Sequence, residues 1–302
     1  MTLGELAEEM RLTGVMQGGR VGHGVEVMAR MFGDQGCTVF LSLTGPLVAG
    51  GLRLVIRDLV LGGHVDALVT NGANMVHDLL ESMGVPHLAG SDQLDDEEVY
   101  REGYSRAYDI FIEASAFPEL EGYVKGLLGR VPREELRGVG FSEFLALLGG
   151  LVEDEGSILR AAAQKGVPIF SPGFLDCMLG IPLWLYAKES GLSFDPLKDF
   201  DRFADMVYEA ERTGAILLGG GTPKHHTQYL NTLRGGLDYA VQISSARVED
   251  GSLSGAPLRE SITWGKLKEG RLEENAVTIF GEVTSLFPFM VGAALERLGA
   301  TR

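Results

Sequence analysis

Positive charge is scarce in this chain: 26 lysines and arginines stand against 42 aspartates and glutamates, a net charge of −16 over 302 residues. That balance repels a polyanion, and no local basic run offsets it, so nucleic acid is excluded as a partner and a cationic substrate or basic protein fits better. Cysteine is nearly absent. Cys37 and Cys177 have no CxxC spacing, which excludes a disulfide scaffold, makes a zinc site or any other metal unexpected, and points to the reducing cytoplasm; no secretory leader is read before Thr2. Long apolar runs are also missing. Residues 287–295 are broken by Pro288 and Gly292 and fall short of the roughly 18 residues of a spanning helix, so no membrane span is expected. No GxGxxG follows any apolar run, which removes the usual dinucleotide fingerprint.

The remaining composition is that of a folded globular chain, 45% hydrophobic and 23% charged, with 42 glycines that imply many tight turns and close backbone approaches. Thr2 and Glu5 have capping-box spacing ahead of a helical face of Leu3, Leu6, Ala7 and Met10. Short strand-like runs follow at 37–43, 65–70, 108–112, 167–170, 215–218, 239–243 and 277–280. Stretches of 3.6-residue apolar spacing lie between them, such as Met75, Leu79 and Met83, or Phe203, Val207 and Ala210. This alternation predicts an α/β fold, a doubly wound, mostly parallel, Rossmann-like sheet, and with no linker or repeat the whole of 1–302 is expected to form one domain. The acidic run 91–98 reads as a solvated loop or helix start.

Ligands of open parallel sheets collect at the carboxyl ends of strands, which directs attention to four segments. Thr44-Gly45-Pro46 follows the first run, Asn71-Gly72 with His77 and Asp78 the second, and Gly219-Gly220-Gly221 with Lys224-His225-His226 the fifth. Such loops can bring backbone amides close to a pyrophosphate. On a helix, adjacent His225 and His226 diverge by about 100°, so they do not form a two-histidine metal site, whereas one alone can act as a base near neutral pH. In the fourth segment, 250–266, Trp264 stands two residues before Lys266, with Glu260 nearby. A lysine partly desolvated against an aromatic wall loses its proton more readily and can form an imine, and the same ring with a carboxylate suits a cationic amine.

Taken together, 219–226, the Ser254-Gly255-Ala256 turn with Glu260 and Trp264-Gly265-Lys266, and 71–78 resemble the deoxyhypusine synthase family, its archaeal and bacterial branch above all, over nearly the whole chain. The resemblance implies an NAD-dependent enzyme that oxidises spermidine, carries its aminobutyl group as a lysine imine and transfers it to a lysine of the hypusine-bearing translation factor. It implies Lys266 as the imine lysine, His225 as the proton-handling histidine, and Trp264 and Glu260 as polyamine contacts. NAD contacts are implied at Thr44, Gly45, Asn71, Gly72, Asp176, Gly220, Gly221, Ser245, Asp250, Ser254 and Glu282, and the assembly as a homotetramer.

The chain departs from the eukaryotic pattern at positions that bear on the amine. Ile181 and Leu253 stand where two acidic polyamine contacts are found and His77 where a third is, while an NAD-ribose aspartate corresponds to Glu282 and polar NAD contacts to Pro46 and Ala49. Either a carboxylate from elsewhere, such as Asp78 or Glu282, is then expected to compensate, or the far end of the substrate lies in water or carries fewer charges. The alternative reading keeps the chemistry and changes the acceptor to a small polyamine such as putrescine, as in homospermidine synthase. A silent NAD-binding polyamine sensor is disfavoured because Lys266, His225, Trp264 and Glu260 occur together.

Overall fold

The structure, a computed structural model, describes residues 1–272 and 274–300. Its helices are α1 (Leu3–Thr13), α2 (Met16–Gly33), α3 (Arg53–Leu61), α4 (Gly72–Ser82), α5 (Asp96–Arg101), α6 (Ala116–Leu128), α7 (Phe141–Leu151), α8 (Ile158–Lys165), α9 (Gly180–Ser190), α10 (Leu197–Glu209), α11 (Gly221–Leu230), α12 (Leu258–Thr263) and α13 (Val283–Ala300). The strands are β1 (Cys37–Leu43), β2 (Ala67–Thr70), β3 (Leu88–Ala89), β4 (Tyr104–Ala107), β5 (Ile110–Glu113), β6 (Ile169–Phe170), β7 (Arg212–Leu218), β8 (Tyr239–Ser244) and β9 (Ala276–Phe280). The chain forms two compact units, the first of Met1–Thr44, Gly63–Thr70 and Phe200–Arg302, the second of Gly45–Gly62 and Asn71–Asp199.

In the first unit five parallel strands run in the order β2-β1-β7-β8-β9. Both faces of this sheet are covered, which is why its strands read as continuous apolar runs: Val39 to Leu43 and Thr213 to Leu218 are buried without alternation. Val39 pairs with Gly214, where an added Cβ would meet Met31 of α2 at 2.8 Å, while its neighbour Phe40 stacks on Phe203 of α10 at 4.7 Å. Successive strand residues point to opposite faces, so α2 and α10 lie on opposite sides of the sheet. The α/β, mostly parallel architecture is the one the alternation of runs predicts. The Thr2–Glu5 capping box is also present, and α2 packs so closely on α1 that a Cβ at Gly22 would fall 2.4 Å from the Arg11 nitrogen.

One feature of this topology positions the site. From β1 the chain goes to β2 on one side and returns to β7 on the other, so the carboxyl ends of β1 and β7 form a topological switch point. Thr44 closes it: its N–H donates to the Leu218 carbonyl at 3.0 Å and its hydroxyl to the Gly220 carbonyl.

The second unit corrects one expectation. The run at 108–112 does not join a parallel sheet; Tyr108 takes a left-handed φ of +57° at a tight turn, and β5 pairs antiparallel with β4 on one side and β3 on the other. The two-residue turn is far too short for the crossover that parallel neighbours need. The acidic run 91–98 is a mostly exposed helix start, as expected, with Asp95 accepting from the N–H groups of Glu97 and Glu98. Among the described residues no helix is long and apolar enough to cross a membrane.

Candidate active site

Lys266 is placed by the turn that ends α12. Gly265 takes φ +66°, which a side chain would resist, and lets Lys266 donate its N–H back to the Ser261 carbonyl at 2.9 Å. The Lys266 side chain therefore stays under cover, with its residue only 8% exposed. Its Nζ lies 3.3 Å from His225 Nδ1 and 5.5 Å above the Trp264 ring. Burial pushes the Lys266 pKa down and the nearby Glu260 carboxylate works against that shift. Burial, followed by the Lys266 charge, also pushes His225 down, so both partners are biased towards their neutral forms.

Helix α11 separates the two histidines as the sequence predicts. His225 stacks on Tyr229, one turn further on, with centroids 5.6 Å apart and planes within 6°. His226 points into the core, edge-on to Phe200 and Phe203, where burial lowers its pKa to about 4. His225 thus serves the cavity and His226 serves packing.

The cavity around Lys266 measures about 510 Å³ and includes Lys224, Tyr229, Leu253, Glu260 and Trp264 in its lining. Its outer wall is open, with Trp264 67% exposed. Lys224 is the member that sequence reasoning missed. Its ammonium donates to the Leu253 carbonyl at 2.9 Å and the Ala256 carbonyl at 2.5 Å, and so fixes the loop that carries Leu253. Burial, reinforced by the Lys266 charge and opposed by Glu260, brings its pKa to about 8. The only available signal was its place beside His225 in a segment already singled out, where a lysine reads by default as a solvated surface group. Gln228, which donates to the Ser261 hydroxyl at 2.9 Å, ties α11 to α12 in the same way and was also missed.

A buried lysine beside a histidine and over an aromatic ring points to a chemistry more than to a family. The deoxyhypusine synthase family model matches residues 5–294. The chain belongs to the deoxyhypusine synthase family. It is 41% identical over 298 residues to a probable deoxyhypusine synthase of Methanothermobacter thermautotrophicus, covering 99% of this chain and 95% of that one. It is 40% identical over 300 residues to the probable deoxyhypusine synthase of Methanopyrus kandleri, covering 99% and 96%. The crystal structure of an Entamoeba histolytica protein assigned as a deoxyhypusine synthase superposes with a TM-score of 0.69 at 20% identity, over 98% of this chain and 94% of that one, which speaks for the fold.

The deoxyhypusine synthase positions expected to hold NAD fall in both units. In the first, Gly220 packs so tightly on Ser254 that a Cβ would sit 2.1 Å from the Ser254 Cα, and the Ser254 hydroxyl accepts from the Gly221 N–H at 3.1 Å. Ser245 and Asp250 are exposed beyond β8, with Asp250 accepting from the Ser252 N–H at 2.7 Å. The side chain of Glu282 caps α13, accepting from the N–H groups of Thr284 and Ser285 at 2.8 and 2.9 Å. In the second unit Asn71 caps α4 by accepting from the Asn74 N–H at 3.2 Å, and Gly72 packs where a Cβ would meet the Phe174 carbonyl at 2.5 Å. Gly45, at φ +88°, has open space where a side chain would be. Asp176, His77 and Ile181 line a separate cavity of that unit.

The expectation of a free carboxylate is corrected for Asp78. Asp78 is fully buried and committed: it accepts from Arg53 Nε at 2.7 Å, the Ser157 hydroxyl at 2.8 Å and the N–H groups of Ile158 and Leu159, both at 3.0 Å, at the start of α8. A carboxylate whose lone pairs are already occupied by fixed donors has little left for an ammonium. Glu282 caps α13 as described and stays exposed.

Proposed function

We propose that this protein is an NAD-dependent deoxyhypusine synthase, which takes the aminobutyl group of spermidine onto Lys266 and transfers it to a specific lysine of the hypusine-bearing translation factor. The observation that carries the reading is the Lys266–His225 contact at 3.3 Å over the Trp264 ring, with burial favouring a neutral amine and a neutral imidazole. A nucleophilic lysine must be unprotonated, and burial of Lys266 shifts it in that direction.

NAD suits the residues present. The turn at the switch point is bare of side chains at Gly219, Gly220 and Gly221, and Ser245, Asp250 and Glu282 offer exposed oxygens beyond the neighbouring strands. When bound, NAD would accept the hydride in oxidation of the amine and return it to the imine formed on the acceptor, so that the transferred group ends at the amine level. His225 takes the proton released at the substrate nitrogen, Trp264 presents its face to the cation, and Glu260 balances the substrate ammonium. Lys266 Nζ then attacks the oxidised carbon, the diamine part of spermidine leaves, and the imine on Lys266 holds the four-carbon fragment until the acceptor lysine displaces it. The match over 5–294 is the reason to treat 1–302 as one domain of this family, and family membership supports a cytoplasmic homotetramer. Transfer to a small amine, as in homospermidine synthase, is the second reading.

Borohydride trapping tests the assignment. With spermidine and NAD present, a peptide containing Lys266 should gain one aminobutyl group. Lys266→Arg, which keeps the charge and cannot be deprotonated, should lose both trapping and transfer while still binding NAD. Full activity in this variant, or trapping at another lysine, would overturn it. The acceptor is read from whether label from spermidine ends in protein or in homospermidine.

A further inference from the structure

Helix α11 is anchored everywhere except on the side it shows to the Lys266 cavity. From Pro223 to Leu230 only His225 and Tyr229 escape burial. The buried members hold the helix in place. Lys224 donates to the Leu253 and Ala256 carbonyls, Gln228 to the Ser261 hydroxyl and Thr227 to the Pro223 carbonyl at 2.9 Å, while His226 packs between Phe200 and Phe203. With the backbone fixed in this way, the freedom left to His225 is rotation of its own side chain about χ1 and χ2.

Two contacts restrain that rotation. The first is Lys266 Nζ, 3.3 Å from His225 Nδ1. The second is the Tyr229 ring, parallel to the imidazole within 6° and offset at a centroid distance of 5.6 Å, an arrangement that aromatic quadrupoles favour. Positions four apart on a helix lie one above the other, so the stack follows from the spacing of two planar side chains. Tyr229 is half-exposed, and among the described residues its hydroxyl has no hydrogen-bond partner, so its ring face makes the contact and its phenol oxygen does not.

We propose that Tyr229 is a positioning residue for the transfer half of the reaction, holding the His225 imidazole beside Lys266 Nζ by ring stacking while the imine is carried. The proposal deepens the reading above and rests on it. In the resting site both restraints act. Once Nζ is bonded to the four-carbon fragment its position is set by that fragment, and the Tyr229 stack is the restraint that persists. Transfer then asks most of the imidazole. The acceptor amine adds to the imine carbon, a proton leaves the acceptor nitrogen and one arrives on Nζ, the C–Nζ bond breaks, and Lys266 is released as an amine with no change of oxidation state. His225 is the group beside Nζ that moves this proton.

The experiment uses the full-length protein with NAD and labelled spermidine, and reads the two halves separately. Imine formation is the rate at which label becomes trapped by borohydride on the Lys266 peptide in a single turnover. Transfer is the rate at which that label is discharged on adding the hypusine-bearing translation factor, or putrescine if that is what discharges the parent protein. Tyr229→Leu and Tyr229→Gln remove the ring at a half-exposed position and leave the core intact. Both should form the imine at close to the parent rate and discharge it roughly tenfold more slowly, the upper scale of one aromatic pair. Tyr229→Phe, which keeps the ring, should restore discharge. Equal slowing of both halves would make Tyr229 merely structural and overturn the proposal, as would an unchanged discharge rate or a Tyr229→Phe protein as slow as Tyr229→Leu. A parent protein that traps no label on Lys266 would remove the deoxyhypusine reading and this proposal with it, whereas normal trapping in the parent with any of the preceding results removes the proposal alone.

Discussion

Two cations are almost equally withdrawn from water in this protein, Arg53 at 7% exposure in the second unit and Lys266 at 8% in the first, and they are treated in opposite ways. Arg53 is surrounded by carboxylates: Asp78 at 2.7 Å, Asp154 at 2.6 Å and Glu81 at 3.4 Å. Lys266 has an imidazole and an indole face, and among the described residues no carboxylate lies within ion-pair distance of it. Paired carboxylates stabilise a buried charge, and Arg53 accordingly organises α3, α4 and the approach to α8. A buried amine denied such a partner is more easily deprotonated, which is the state a nucleophile requires. The same burial thus makes a fixed strut in one unit and an amine biased towards its neutral form in the other, and the partners decide which.

This contrast can be broken from either side. The largest effect is expected at His225. His225→Ala should lower transfer by roughly 10²–10⁴-fold, the usual range for removing a general base, whereas His226→Ala should affect folding stability far more than turnover. Steady-state rates and urea midpoints of the two variants separate them, and equal loss of rate would mean that both rings are structural. Next comes Asp78→Ala, which leaves Arg53 buried beside a vacated partner and strips the first turn of α8 of its acceptor. Breaking a buried pair in this way costs about 3–5 kcal/mol, to be measured by denaturant unfolding. A change below ~1 kcal/mol would show that the ionic node is not the strut described here.

A smaller effect sharpens the comparison at Lys266. Imine formation needs the free amine, so trapping should rise with pH and level off at a lower pH than an ordinary lysine requires, because burial depresses this pKa. Glu260 favours the ammonium and raises the pKa, so Glu260→Gln should move the profile to lower pH while weakening binding of the donor. A profile unmoved by Glu260→Gln would mean that the carboxylate does not act on Lys266. The smallest effect lies far from both cations: Thr2→Ala should cost about 1 kcal/mol of stability through the lost cap of α1 and leave turnover unchanged.

The parallel strands were legible because full burial on both faces leaves an uninterrupted apolar run, as in 39–43, and the divergence of His225 from His226 followed from helical geometry alone. The hairpin at Tyr108 was not legible, since a tyrosine in the left-handed region carries no local signature of a turn. Lys224 escaped notice because what makes it unusual, two carbonyls from the 253–256 loop, comes from residues 29 and 32 positions away. Asp78 was misjudged for the same reason. Its partners Arg53 and Ser157 lie 25 and 79 residues distant, and nothing in the segment around it announces them.

By itself, then, the sequence determined the alternation of strands and helices, the cap of α1 and, through its ordered motifs, the family. Those properties rest on short-range periodicity and on residue types at fixed spacing, which survive whatever the rest of the chain does. The tertiary structure decided which histidine meets Lys266, because Phe200 and Phe203 claim the other, and which carboxylates are committed, because Asp78 is enclosed by Arg53 and α8. It also decided that His77 is wired through His87 to Glu81. Each of those outcomes is a choice of partner, and the choice is made by burial, which brings together residues that the linear chain keeps apart.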